Sequence, residues 1–361
     1  MYRLEDLLKE VIGRGGSDLH LCSQSPPIMR LYGKLVKLDN RVSSPQEVSA
    51  MISGILTEEQ KYELASKKNI DFAFEISIAG NSQRFRANVY YQRYGVDGVF
   101  RVIPSKIPSL GELNLPKALE VFTTVPEGLI LITGSAGSGK TTTLSSILDM
   151  INSRHRLHII TIEDPVEFVI PIKQCLINQR QVGLHTRSFA AALRAAIRED
   201  PDIIVVGEMR DLETIQMAII AAETGHCVFG TMHTAGAVKT IDRIIDSFNV
   251  DQQQQVRAML SDSLRGVIGQ QLLTRADGWG LIPAVEILLA TRPVCNTIRE
   301  GKTHQLSTII QTGRAQGMQM MDDEILKLLQ EGKIEAETAY EYAVEKKNFE
   351  PYLKKTGKMG Y

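Results

Sequence analysis

The stretch that most constrains this chain runs Leu129-Ile130-Leu131-Ile132-Thr133-Gly134-Ser135-Ala136-Gly137-Ser138-Gly139-Lys140-Thr141. Its apolar first part predicts a buried strand. The following Thr142-Thr143-Leu144-Ser145-Ser146-Ile147-Leu148 predicts a helix. Between them lies G-x-x-x-x-G-K-T, and strand, glycine loop and helix are the context that pattern requires. Gly134, Gly137 and Gly139 carry no Cβ, so the backbone can turn through positive φ and wrap tightly. The N–H groups from Gly134 through Ser135, Ala136, Gly137, Ser138, Gly139 and Lys140 to Thr141 and Thr142 then face one way and cradle phosphate oxygens. Lys140 is placed to reach the β and γ phosphates, and the Thr141 hydroxyl to sit on Mg²⁺. The expected ligand is a nucleoside triphosphate, ATP, with its magnesium ion.

With 361 residues the chain is long enough for two domains. Its 41 basic and 42 acidic residues nearly cancel, for a net charge of −1, and aromatic residues are 6 %. Neither figure favours a nucleic-acid partner, which asks for a basic, aromatic-bearing surface. Cys22, Cys175, Cys227 and Cys295 are far apart and form no C-x-x-C pair, which argues against a disulfide framework or a zinc site. The N-terminus has no apolar core of a signal peptide, and no apolar run approaches the roughly 20 residues of a membrane span, so the cytoplasm is the expected location.

Residues 1–103 read as a small α+β domain. Leu4, Leu7, Leu8, Val11 and Ile12 recur at helical spacing. Helices are expected over 44–55 and 57–65, the second with Thr57 and Gln60 as a capping box. Strands are expected over 17–21, 71–76, 84–90 and 98–103. Pro104 and Pro108 mark a linker, taken as 104–117. From residue 118 to 361, strands expected at 129–132, 158–162, 203–206, 227–231 and 284–289 alternate with helices at 144–151, 188–199, 212–222 and 237–247. That alternation means a mostly parallel sheet with helices on both faces, an α/β fold. Beyond Gly317 the pattern is helical, and Lys354–Lys358 is a short basic tail that reads as a solvated terminus.

In such sheets ligands sit beyond the carboxyl ends of the strands. The second apolar run ends Thr161-Ile162-Glu163-Asp164-Pro165-Val166-Glu167, three carboxylates able to orient a water or hold a hydrated metal. The third ends Val205-Val206-Gly207-Glu208, an acid after a buried strand where Mg²⁺ is expected, held partly through water. Glu163 is the expected general base, with Glu167 as the alternative. His226 and His233 bracket the fourth run; they read as sensors of the phosphate state, or as ordinary packed histidines.

These segments carry a family resemblance. Thr161–Glu167, the glycine loop, Asp202–Asp211 and Thr224–Thr234 resemble the Asp box, Walker A, Walker B and His box of the type II/type IV secretion ATPase superfamily, in the same order. Gly16–Leu21 and Arg84–Tyr90 resemble its PAS-like N-terminal domain. Ile298–Gln305 and Gln316–Gln319 resemble the C-terminal region of its pilus-retraction, twitching-motility branch. Gln270–Glu286 holds none of the four cysteines found in many extension and secretion members. The retraction signature A-I-R-N-L-I-R-E is matched in its second half by Thr297–Glu300 and departed from at Pro293–Asn296. The resemblance implies a RecA-like ATPase domain behind a PAS-like one, a homohexameric ring, and an inner-membrane pilus platform protein as partner at the cytoplasmic face. It also implies arginines near the γ phosphate, matched here by Arg86 and Arg101, acting on their own chain's nucleotide or on a neighbour's.

Overall fold

A computed structural model describes residues 2–78, 81–103 and 106–355. Pro104 and Ser105 of the expected linker, and Thr356, Gly357 and Lys358 of the basic tail, lie outside them. The chain divides into two compact units, Met1–Lys106 and Ile107–Tyr361.

In the first unit, α1 (Leu4–Gly13) precedes β1 (Asp18–Leu21), β2 (Ile28–Leu31) and β3 (Lys34–Lys37). Helices α2 (Pro45–Ser53) and α3 (Glu58–Lys67) follow, then β4 (Asn69–Ile78), β5 (Asn81–Gln92) and β6 (Gly95–Val102). Both helices open on capping boxes: Ser44 with Glu47, with Pro45 in the first turn, and Thr57 with Gln60 as the sequence predicts. The strands pair antiparallel in the order β3-β2-β1-β6-β5-β4. Alternation along β5 sends Phe85, Ala87 and Val89 into a core shared with Leu8, Leu19 and Phe100. It sends Arg84, Arg86 and Asn88 to the opposite face. The β2–β3 hairpin lacks any glycine–asparagine signal. Tyr32 (φ 48°) and Gly33 (φ 81°) are both left-handed there, as a two-residue turn of this hand requires.

In the second unit, residues 117–123 form a short 3₁₀ turn ahead of β7 (Gly128–Thr133), α4 (Lys140–Arg154), β8 (His158–Glu163), β9 (Leu176–Gln181) and α5 (Phe189–Ala196). Then come β10 (Ile203–Val206), α6 (Leu212–Glu223), β11 (Cys227–Met232), α7 (Ala237–Asp246) and α8 (Val250–Ser263). β12 (Leu264–Thr274) and β13 (Leu281–Leu289) form a hairpin. Helices α9 (Arg292–Arg299), α10 (Leu306–Thr312), α11 (Met321–Gln330), α12 (Ala336–Tyr342) and α13 (Glu350–Lys355) complete the unit.

The sheet order is β13-β12-β7-β11-β10-β8-β9, parallel throughout except for β13. Its central strands are buried on both faces, which is why they read as unbroken apolar runs rather than alternating ones. In β7, Leu129 and Leu131 join the core beneath α5, α6 and α7, while Ile130 and Ile132 join the core beneath α4. The expected linker over 104–117 is only partly one. Leu110 and Leu115 are buried in that second core, so residues 107–117 belong to the second unit. Among the described residues no helix is long and apolar enough to cross a membrane.

Candidate functional site

The site forms where β7, β11, β10 and β8 end. Parallel pairing sets their carboxyl ends side by side: Thr133 is in register with Met232, Gly230 with Val206, and Val206 with Ile162. The residues that follow, Gly134, His233, Gly207 with Glu208, and Glu163, are delivered to one edge.

The glycine loop has the shape the sequence demands. Gly134, Gly137 and Gly139 have φ of 150°, 77° and 84°. A Cβ on Gly134 would lie 2.3 Å from the Gln270 carbonyl oxygen, and one on Gly139 would lie 2.8 Å from the Gln270 side-chain nitrogen. Gly139 caps α4 in the left-handed conformation, so the helix opens at Lys140, and the amides of Lys140, Thr141 and Thr142 stand in its first turn without helical acceptors. Lys140 Nζ donates to the carbonyls of Gly134 and Ser135, both at 2.8 Å. Burial pulls the Lys140 pKa down, and the Glu208 and Glu167 carboxylates pull it back up. Those two acids are therefore close enough to act on the lysine. The Ser138 hydroxyl is buried with no hydrogen-bond partner among the described residues.

The acids are held in place by their surroundings. Glu163 accepts from Thr161 Oγ1 at 2.6 Å and from Gln179 Nε2 at 3.0 Å. Burial pushes its pKa up, an effect those hydrogen bonds oppose and the Glu167 charge reinforces. A carboxylate that is reluctant to stay ionised is a ready proton acceptor near neutral pH. Gly207 lets β10 approach: a Cβ there would lie 2.9 Å from the Ile162 carbonyl and 3.2 Å from Glu163 Cα. Glu208 bonds His233 Nε2 at 2.9 Å and pairs with the Arg210 guanidinium, whose pKa rises through that bond. A cavity of about 440 Å³ opens beside Glu208, Arg210, His233 and Arg243.

Lys140, Glu163, Glu167, Glu208 and His233 thus converge, but His226 does not. It precedes β11, where Gly128 N donates to its carbonyl, and its ring reaches the Ala221 carbonyl. The six residues of β11 separate it from His233, roughly 20 Å at strand rise. His226 is a packed histidine at the amino end of the sheet, and the expectation that it senses phosphate is overturned.

Arg86 and Arg101 are direct cross-strand partners on the polar face of the first unit's sheet. Arg101 Nε donates to the buried Asp18 at 2.7 Å, and Arg86 lies 3.9 Å from Asp71.

Two side chains that the motifs did not reveal complete the site. Gln270, on β12 and 3 % exposed, donates to the Ser138 carbonyl at 2.7 Å and accepts from Thr143 Oγ1 at 2.7 Å. Gln179, on β9, orients Glu163 and also ties down the Phe168 and Ile170 backbone. Neither follows an apolar run at a strand end, so no spacing rule points to them.

The chain matches the family described as type II/IV secretion system protein over residues 2–357. It is 44 % identical to the type IV pilus retraction ATPase PilT of Pseudomonas aeruginosa, over 96 % of this chain and 99 % of that one. It is 36 % identical to the type IV pilus ATPase PilU of the same organism, over 94 % of this chain and 88 % of that one. A crystal structure of the pilus retraction motor PilT with bound ADP superposes with a TM-score of 0.87 at 42 % identity, covering 96 % of this chain and 99 % of that chain.

Proposed function

The chain belongs to the type II/IV secretion system protein family, and on that premise we propose that it is an ATP-hydrolysing motor that drives type IV pilus retraction. The observation that carries this reading is the gathering of Lys140, Glu163, Glu208 and His233 at neighbouring strand ends around a glycine loop that has no room for a Cβ at Gly134 or Gly139. The loop amides from Gly134 to Thr142 and the Lys140 ammonium bind the triphosphate. Thr141 and Glu208 would hold Mg²⁺, Glu208 partly through water. Two oxygen donors suit a hard cation that takes its remaining ligands from phosphates and water. Glu163 accepts the proton of the water that attacks the γ phosphorus as the bond to ADP breaks, and Glu167 keeps a second negative charge beside it. His233, tied to Glu208, reports on the γ phosphate.

Arg86 and Arg101 neutralise charge spread over the transferred group, on their own chain's nucleotide or a neighbour's. Six copies form a ring, and its steps act on an inner-membrane pilus platform protein from the cytoplasmic side. Lys140→Ala is expected to abolish ATPase activity, and Glu163→Gln to keep nucleotide binding while turnover stops. A Glu163→Gln protein that hydrolyses ATP at a near wild-type rate refutes the base assignment. In cells, deletion of the gene is expected to leave pili accumulating on the surface, whereas loss of pili would mean an extension motor.

One observation favours a second reading, an accessory retraction ATPase. Pro293–Asn296, the half-signature that departs from the retraction pattern, forms the start of α9, with Pro293 in its first turn. Unchanged pilus numbers on deletion, with weakened retraction, would favour that reading.

A further inference from the structure

Glu286 is a buried acid, 7 % exposed, that the phosphate chemistry leaves unused. It stands on β13 opposite Gly269 of β12, and Gly269 is in register with Thr133, the last residue of β7 before the glycine loop. The carboxylate is thus level with the root of that loop, two strands away. A carboxylate taken out of water needs strong hydrogen-bond donors. Here two helix starts supply them. Ala237 N, in the first turn of α7, donates to Glu286 Oε1 at 2.6 Å, and Met321 N, in the first turn of α11, donates to the same carboxylate. Neither helix has a side-chain cap of its own; Gly236 and Met320 stand at the cap positions. One carboxylate therefore serves orphaned amides of both helices and faces the positive end of each.

The start of α7 is also the end of the loop that carries His233. Only Thr234, Ala235 and Gly236 separate His233 from Ala237, so the loop has little slack. It is closely fitted against the hairpin. Gly236 has φ 83°, and a Cβ there would lie 3.0 Å from Glu286 Oε1; a Cβ on Gly269 would lie 3.3 Å from Gly236 Cα. Thr240 Oγ1 donates to the Gly236 carbonyl at 2.7 Å and is hydrogen bonded to Thr234 Oγ1 at 2.7 Å. At the other end, His233 Nε2 bonds Glu208 at 2.9 Å. The imidazole is held between two acids, Glu208 directly and Glu286 through the loop. The support runs further, because Asp322, beside Met321, accepts from Val344 N and Glu345 N at 2.8 Å. We propose that Glu286 is a positioning residue for His233: by bridging the starts of α7 and α11 it fixes the 233–236 loop, and with it the height at which the imidazole meets the γ phosphate.

The inference rests on His233 sensing the γ phosphate, and its test separates the two. ADP and a non-hydrolysable ATP analogue are titrated calorimetrically into the full-length protein and into its Glu286→Gln, His233→Ala and doubly substituted variants. Glutamine keeps the side-chain volume, but it puts an N–H₂ in place of one acceptor oxygen and removes the charge facing both helix starts. Glu286→Gln is expected to lower the preference for the ATP analogue over ADP by about five- to tenfold, with ADP affinity within about twofold of wild type. In the His233→Ala background it is expected to lower that preference no further, since two residues acting through one group are not additive. Glu286→Asp, which keeps the charge but withdraws it by one methylene, carries the same measurements if Glu286→Gln fails to fold. An unchanged preference, an equal loss for both nucleotides, or the same loss again in the His233→Ala background overturns the positioning role. A wild-type preference that survives His233→Ala overturns the sensor reading, and this inference with it.

Discussion

Gly134 shows how little freedom the loop has. At φ 150°, with the Gln270 carbonyl 2.3 Å and the Ser138 hydroxyl 2.5 Å from where a Cβ would stand, even one methyl group must move backbone. Gly134→Ala is therefore expected to weaken ATP binding by more than about tenfold, read by calorimetry, with a stability loss of about 1–3 kcal/mol. Glu163 makes a second prediction. Its pKa is raised by burial, so the folded chain holds that proton more tightly than the unfolded chain does. The resulting stabilisation is present below the unfolded pKa and is lost as pH rises through the folded one. Glu163→Gln, uncharged throughout, should accordingly gain in Tm over wild type, and gain more at about pH 8 than at about pH 5. An equal gain at both would mean that the carboxylate is not strained by burial. In wild-type enzyme the acid limb of kcat is expected above the pH of an ordinary glutamate.

Among the elements, β7, β8, β10 and β11 were legible because strands buried on both faces leave short apolar runs that little else explains. Their polar successors, Lys140, Glu163, Glu208 and His233, were legible for the same reason. β9, Leu-Ile-Asn-Gln-Arg-Gln, was not, because an edge strand with one neighbour can stay polar. β12 was hidden because the chain passes from α8 to strand at Ser263–Leu264 with no glycine or proline between. β2 and β3 were hidden by a tyrosine in a turn position that asparagine or glycine usually fills. His226 was misread by treating both ends of β11 alike, when only its carboxyl end faces the site. Glu286 belongs to this scale too. Buried on β13, it accepts from Ala237 N at 2.6 Å and from Met321 N, at the starts of α7 and α11, and burial raises its pKa. Glu286→Ala leaves amide donors of both helices buried without partners and is expected to cost about 2–5 kcal/mol, measured by denaturant unfolding. Thr57→Ala, which removes an exposed cap, should cost only about 1 kcal/mol.

At the scale of the whole molecule the two units carry different kinds of group: the acids, lysine and glycine loop lie in one, and a pair of registered arginines in the other. Arg86→Ala and Arg101→Ala are each expected to retain ATP binding within a few-fold while lowering kcat by about 10²-fold or more. Unchanged kcat in both would remove the N-terminal unit from the chemistry. Because the central sheet is packed with hydrocarbon above and below, it offers no lubricated plane along which one strand could creep past the next. It behaves as a stiff plank, and the energy released at its tips cannot be soaked up inside it. Whatever work hydrolysis delivers has to be exported through the loops and helix ends at the rim, and there a machine of this design should be searched for its moving parts.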